Sequence, residues 1–314
     1  MPARIQSALD AAGVQAARIE WLWWLMFWVT AAVFVLVLAA LALAVRRGRS
    51  ADPARPADST MLPAVATAIG VTVVILFGLL YASAATGRAI ATVPGDKPLI
   101  IQITGQQWWW SIEYLDEAPS QHFTTANELH IPVGRTVILN LRSPDVIHSF
   151  WVPNLHGKMD LIPGRLNTTW LRADVPGVYR GQCAEFCGMQ HAHMGLLVVA
   201  EPAEAYQRWE NAQRRNAEEP STPQQARGRG IVERGPCALC HTVRGTQAGG
   251  RTAPDLTHFA SRSTIAAATA PNTPGYLAGW IANPQHLKPG NRMPATGLNA
   301  ADLQAVLAYL ETLR

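Results

Sequence analysis

Charge is sparse and unevenly spread in this chain of 314 residues: Asp, Glu, Lys and Arg make up 15% of it, and two long stretches, Trp21 to Val45 and Leu62 to Ala84, carry none. Apolar runs in soluble domains are usually shorter and interrupted, whereas runs of this length, at ~1.5 Å per residue, cross a ~30 Å hydrocarbon layer. Two transmembrane helices are predicted. Cysteine is scarce too: the four that exist all lie after the second run, in two clusters. No small-residue cleavage site stands at a convincing distance from the first run, which is also too long for a signal-peptide core, so a retained anchor is expected. Nothing in the composition indicates disorder of the chain as a whole, and its length allows two domains or more.

Trp21, Trp23, Trp24 and Trp28 crowd one end of the first run, as aromatic belts do at a membrane interface. Arg46, Arg47, Arg49 and Arg55 lie between the runs, against Arg4 and Arg18 before them. The positive-inside rule then places the hairpin turn in the cytoplasm and everything after Ala84 outside, in the periplasm of a Gram-negative cell. Residues 1–20 have loosely helical spacing and are expected to lie along the interface. In the exported part, free thiols oxidise unless a metal or a covalent cofactor claims them.

The first cysteine cluster runs from Cys183 to Met194 and packs Cys183, Cys187, His191, His193 and Met194 into one loop. Thiolate and thioether are soft donors that select copper or zinc over magnesium or calcium. Met194, with His148 after a strand-like run, tips the set toward copper, since zinc rarely recruits methionine. A Cys183–Cys187 disulfide and a zinc loop are the alternatives. His193 reads as a solvated loop residue and Met189 as packing. Short strands are predicted at 99–104, 128–131, 136–141, 146–151, 168–171 and 195–199, which argues for a Greek-key sandwich or barrel.

His148 together with the spacing C-x-E-x-C-x-x-x-H-x-x-M resembles the dinuclear copper centre, CuA, of cytochrome c oxidase subunit II. The resemblance implies a cupredoxin fold up to about Pro202. It implies that Cys183 and Cys187 bridge two coppers, that His148 and His191 cap one each, and that Met194 is a weak ligand. Glu185 would bind through its backbone carbonyl and turn its carboxylate toward a magnesium ion shared with subunit I. Gln106-Gln107-Trp108-Trp109-Trp110 is similar to the family's aromatic stretch, with Gln106 and Trp109 where His and Tyr are usual; Trp108 would pass electrons into the copper centre. On bare propensity a tryptophan run in a strand is packing. Glu113, Asp145 and Asp160 hold positions that form an acidic patch for a basic cytochrome c in relatives, and otherwise read as surface carboxylates. Residues 95–200 carry seven basic and nine acidic residues, so such a patch is dilute. Relatives also place a glutamate near the start of the second helix, for which only Asp58 is nearby here.

Pro202 to Asn216 has helical periodicity, with Tyr206 and Trp209 on one face, and residues 218–223 read as a linker. Beyond it, Cys237-Ala238-Leu239-Cys240-His241 is the c-type haem attachment signature. Helices are expected from Arg227 to Arg234 and from Asp302 to Leu313. This part resembles a small class I cytochrome c with His241 on the iron and Met293 as distal ligand; His258 and His286 compete for that place. Residues 224–314 carry nine basic and four acidic residues, so opposite charge could steer this domain onto an acidic copper domain. A short tether would also raise its local concentration to about mM.

The expected organisation is an N-terminal tail (1–20), a transmembrane hairpin (21–94), an all-β cupredoxin-like domain (95–202), a helix and linker (203–223) and an all-α cytochrome c domain (224–314). The resemblance implies an electron-transfer subunit of a haem-copper oxidase in a bacterial inner membrane. Its partners would be lipid, subunit I, subunit III and a soluble cytochrome c or other periplasmic donor, and nucleic acid is not among them. The CuA-bearing subunit of a nitric oxide reductase is the alternative, and a copper-trafficking or assembly protein a third reading that leaves the haem motif unexplained.

Overall fold

A computed structural model of the chain describes residues 3–4, 6–48, 58–95, 97–116 and 118–314. A two-residue strand, β1 (Ala3–Arg4), precedes helices α1 (Val14–Gly48) and α2 (Asp58–Ala91). Both helices outrun the apolar runs that predict them, because Ala, Gln, Glu and Arg in the flanks are good helix formers and extend the hydrogen-bond ladder. Phe34, Leu36, Val74, Phe77 and Tyr81 are between 63% and 76% exposed. Apolar sides so bare belong in lipid, where a helix satisfies its own backbone polar groups. Arg46 and Arg47 end α1, at the negative pole of its dipole. Arg49 and Arg55, the other basic residues of the hairpin, lie outside the described residues. Residues 17–93 form a compact unit of their own.

The second unit comprises residues 94–314 with residues 1–16. Its first part is a two-sheet sandwich built from β2 (Leu99–Gln106), β3 (Trp109–Leu115), β4 (Phe123–Ala126), β5 (Glu128–Pro132), β6 (Val137–Arg142), β7 (His148–Trp151), β8 (Met159–Leu161), β9 (Asn167–Leu171), β10 (Gly177–Cys183) and β11 (Gly195–Glu201). One sheet has the order β4-β3-β2-β6-β9 and the other β5-β11-β10-β7-β8, with β1 beside β10. Alternation fixes the register: Ile101 and Ile103 of β2, Ile112 of β3, and Leu139 and Leu141 of β6 are wholly buried between the sheets. Each such side chain stabilises the sandwich by roughly 1.5–3 kcal/mol. Strand β10 escapes prediction because its two glycines weaken its strand propensity. Gly181 is required there, since a Cβ would overlap Leu196 and the Trp151 carbonyl.

The N-terminal segment departs from the interfacial helix expected of it. Residues 6–13 are not helical; the Ala12 amide donates to Asn154 O, Gln15 donates to Trp170 O, and Gly13 lies against the Arg172 and Leu155 backbone. Its backbone polar groups at Ala12 and Ala16 find partners on the sandwich, at Asn154 and Leu155. After β11, α3 (Ala203–Gln213) packs back on the sandwich as its spacing predicts. Trp209 stacks on His130 with ring centroids 4.1 Å apart.

The last part contains α4 (Pro223–Arg234), α5 (Cys237–Cys240), a small hairpin β12 (Thr264–Ile265) and β13 (Ala270–Pro271), then α6 (Pro274–Ala282), α7 (Pro284–Leu287) and α8 (Ala300–Leu310). Thr222 and Gln225 form a capping box that starts α4, and Asn299 caps α8 by accepting from the Asp302 amide. These two helices cross in contact at Gly228, where a Cβ would collide with the Ala305 carbonyl.

Candidate metal centre and haem cavity

His148 opens β7, Cys183 ends β10, and the loop from Cys183 to β11 carries Cys187, His191 and Met194. Pairing of Cys183 with Phe150 brings the two strand ends together. The loop folds back so that the Cys183 amide donates to Met194 O at 2.9 Å. Cys183 Sγ and Cys187 Sγ are 3.8 Å apart and unbonded. His148 Nδ1 lies 3.9 Å from Cys183 Sγ, His191 Nδ1 3.7 Å from Cys187 Sγ, Met194 Sδ 3.8 Å from Cys187 Sγ, and Glu185 O 3.2 Å from Cys183 Sγ. Donors that bind one ion at ~2.0–2.3 Å sit about this far from one another. All six expected ligands therefore converge, and a soft set that includes methionine fits copper better than zinc.

His148 is fully buried, while His191 is partly open to solvent beside Phe186. The Cys183 thiol is pulled well below its ordinary range, chiefly by the Cys187 hydrogen bond and then by His148 against the opposing effect of burial, and its partner Cys187 is pushed up in turn. The pair thus favours one thiolate over two, and a bound cation would be what stabilises the second. Gly105 lets the His148 ring lie on β2: a Cβ there would stand 3.1 Å from the ring. Gly188, at φ +111°, gives Trp108 the same closeness.

Sequence reasoning took Asp145 for a surface acid, and here the structure corrects it. Its Oδ1 accepts from His148 Nε2 at 2.9 Å and from the Val146 amide at 2.7 Å, and its Oδ2 accepts from the Gln107 amide at 2.8 Å. Burial works to raise its pKa, but these bonds outweigh burial and hold the carboxyl below its ordinary value. It orients a ligand; its place three residues before His148 was the available signal. Glu185 keeps its carboxylate on the surface, 3.4 Å from Lys158 Nζ. Met189 is 74% exposed, and its thioether lies against Gly290, where a Cβ would stand 2.9 Å from its Sδ.

The tryptophan run divides its labour. Trp110 is core, edge-on to Phe150. Trp109 and Trp108 line a cavity of about 420 Å³ that the last domain completes, and Trp108 Nε1 donates to Cys187 O at 2.9 Å. Gln107 Nε2 donates to the same carbonyl at 2.8 Å, a contact no sequence signal announces.

The rest of the cavity wall includes Cys237, Cys240, His241, Phe259, Trp280 and Met293. One turn of α5 puts both thiols on the wall. His241 Nδ1 lies 2.7 Å from Pro254 O, which leaves Nε2 for an axial ligand, and burial keeps the ring neutral. A largely apolar cavity with two thiols, a neutral imidazole and a thioether fits a covalently held haem. His258 is excluded as the distal ligand because its two ring nitrogens lie 2.6 Å from Arg314 O and 3.0 Å from Arg215 O. His286 is exposed and outside the cavity wall.

Comparison with known proteins gives two domain matches. Residues 115–201 match the cytochrome c oxidase subunit II periplasmic domain and residues 225–314 match cytochrome c. Cytochrome c oxidase subunit 2 of Alkalihalophilus pseudofirmus is 41% identical over 221 residues, which is 70% of this chain and 63% of that one. The Bacillus sp. (strain PS3) protein of the same name is 33% identical over 69% of this chain and 62% of its own length. The chain thus spans less than two thirds of either relative. The Bacillus subtilis protein is 29% identical over 81% of this chain and 73% of that one. The crystal structure of the periplasmic domain of subunit II of cytochrome oxidase of Bradyrhizobium japonicum is similar at 33% identity over 39% of this chain and 96% of that one, with a TM-score of 0.36. The first domain match implies copper and the second haem c. With two apolar helices, a cupredoxin-like sandwich and a helical cytochrome domain in that order, the chain is similar to cytochrome c oxidase subunit II in the form that carries a fused cytochrome c.

Proposed function

We propose that this chain is the electron-transfer subunit of a haem-copper terminal oxidase, taking electrons at a covalently bound haem c and handing them through a dinuclear CuA centre to a catalytic subunit that reduces oxygen to water. The observation that carries this is Trp108, whose ring bonds to the carbonyl of copper-ligand candidate Cys187 and also walls the haem cavity. When bound, the copper pair would share one electron across two thiolates and the haem iron would exchange one.

Cys183, Cys187, His148, His191, Met194 and the Glu185 carbonyl would hold the copper. Asp145 keeps His148 in the tautomer with Nδ1 toward the metal. Cys237 and Cys240 would carry the haem, and His241 and Met293 would supply ligands to its iron. Glu185, its carboxylate exposed, would turn to a magnesium ion at the face shared with subunit I. The domain limits follow the sequence reading at 95–202 and 224–314. Subunit I, subunit III and a soluble cytochrome c or other donor are the partners, and the redox domains face the periplasm of a bacterial inner membrane.

The test is the visible and near-infrared spectrum of the detergent-solubilised chain, oxidised and reduced, with metals counted. Two coppers per haem, a near-infrared band lost on reduction and a sharp c-type α-band are expected. Zinc in place of copper, or haem without the near-infrared band, would refute the assignment.

A further inference from the structure

The β12–β13 hairpin turns through Ala266, Ala267 and Ala268, whose φ values are 55°, 60° and 56°. This left-handed conformation is unfavourable for a residue with a Cβ, and no glycine relieves it here. Such a turn persists only where its surroundings hold it. Each of its carbonyls is taken by a donor outside it. Ala266 O accepts from Lys288 Nζ at 3.1 Å, Ala267 O from the Gly195 amide at 3.0 Å, and Ala268 O from Arg180 Nη1 at 2.9 Å. Gly195 and Arg180 belong to β11 and β10 of the copper-binding sandwich.

Lys288 sits five residues before Met293 and is 3% exposed. Its two other bonds cross to the sandwich, to Trp108 O at 3.0 Å and His193 O at 2.8 Å. Burial pulls its pKa down to about 7. A buried ammonium is costly unless acceptors surround it. Two separate costs, a strained turn and a buried amine, are therefore offset by the same contact between domains. Glu128 adds an anchor: its Oε1 accepts from the amides and hydroxyls of Ser263 and Thr264 at 2.8–3.1 Å.

We infer that Lys288 and the left-handed turn of Ala266–Ala268 form a latch that fixes the haem-binding domain on the copper-binding domain, against Trp108 and the copper-ligand loop. The naming of the domains rests on the proposed function; the latch itself is made of protein contacts alone. It makes the fused domain a docked donor and not a tethered, mobile one. Lys288 is a positioning residue that acts through Trp108, whose carbonyl it grips while the indole bonds Cys187.

The experiment uses the full-length holoprotein in detergent. It reads amide hydrogen exchange at Gly195, whose N–H crosses the interface, and the rate at which photoreduced haem passes one electron to oxidised copper, with no bond made or broken. Lys288→Met keeps the length and removes all three donors. Gly195 exchange should become at least about tenfold faster and electron transfer about tenfold slower, with the copper and haem bands unchanged, since ~1.4 kcal/mol of lost docking is a factor of ten. Ala266→Gly relieves the turn without touching its bonds, and Gly195 should exchange no faster than in the wild type. Unprotected Gly195 in the wild type, no change in Lys288→Met, or faster exchange in Ala266→Gly would each overturn the latch. Missing copper or haem bands in the wild type would instead sink the proposed function and leave the exchange result standing.

Discussion

Asp145→Asn removes one charge from behind a copper-ligand candidate and leaves the fold alone. The carboxylate accepts three bonds at 2.7–2.9 Å, from Val146, Gln107 and His148. An amide has one oxygen and an NH2 that cannot accept, so either the Gln107 amide or the His148 ring loses its acceptor. Gln107 leads directly to Trp108, and His148 Nδ1 faces Cys183 Sγ, so either loss disturbs the site. An unsatisfied buried donor costs ~1–3 kcal/mol, and loss of a carboxylate behind a ligating histidine typically lowers metal affinity about 10–100-fold. The two estimates agree, since that range is ~1.4–2.8 kcal/mol. The assay is competition for copper against a chelator, followed at the near-infrared band, with the haem α-band as an internal control. A variant whose affinity stayed within about twofold of wild type would refute the orienting role.

Met293→Ala should leave haem attached through Cys237 and Cys240 but lower its potential by roughly 0.1 V or more in a spectroelectrochemical titration, because axial ligands set haem potentials over ~0.8 V. In the same assay His148→Ala should abolish the copper band and spare the haem. His156 is 1% exposed and its pKa is lowered to about 4 by burial, below the unfolded value of 6.5. The unfolded chain then binds the extra proton first, so sandwich stability is full above pH 6.5 and falls by ~3 kcal/mol as pH drops to about 4. Denaturant titrations at neutral pH and near pH 4 should show that loss, and His156→Gln should flatten it. Gly228→Ala forces a methyl group into the α4–α8 crossing and should cost about 1–3 kcal/mol, seen as a fall of roughly 10 °C in the melting of the cytochrome domain.

The parts most legible in the sequence are those whose chemistry is local. The spacing from Cys183 to Met194 and from Cys237 to His241 is set by one loop and one helical turn, so residue order nearly determines geometry. Strands with clean alternation, such as β2 and β6, were also readable. Strand β10 was not, since Gly177 and Gly181 answer to neighbours distant in sequence. Asp145 looked like any surface acid until β7 turned His148 toward it. Lys288 and Ala266–Ala268 carry no signature at all, because their role exists only where two domains meet. The N-terminal segment was misread for the same reason: its pattern resembled a surface helix, while its partners lie more than a hundred residues away.

The 3.8 Å gap between Cys183 Sγ and Cys187 Sγ has a consequence for how the site is made. A disulfide needs the two atoms ~1.8 Å closer, a movement within reach of side-chain rotation. Cys187 beside it holds the Cys183 thiol well below its ordinary range, toward the thiolate that both a metal ion and an oxidant seek. In the proposed centre the same nearness sets oxidation against metal binding, because a Cys183–Cys187 disulfide would leave neither sulfur free as a thiolate ligand.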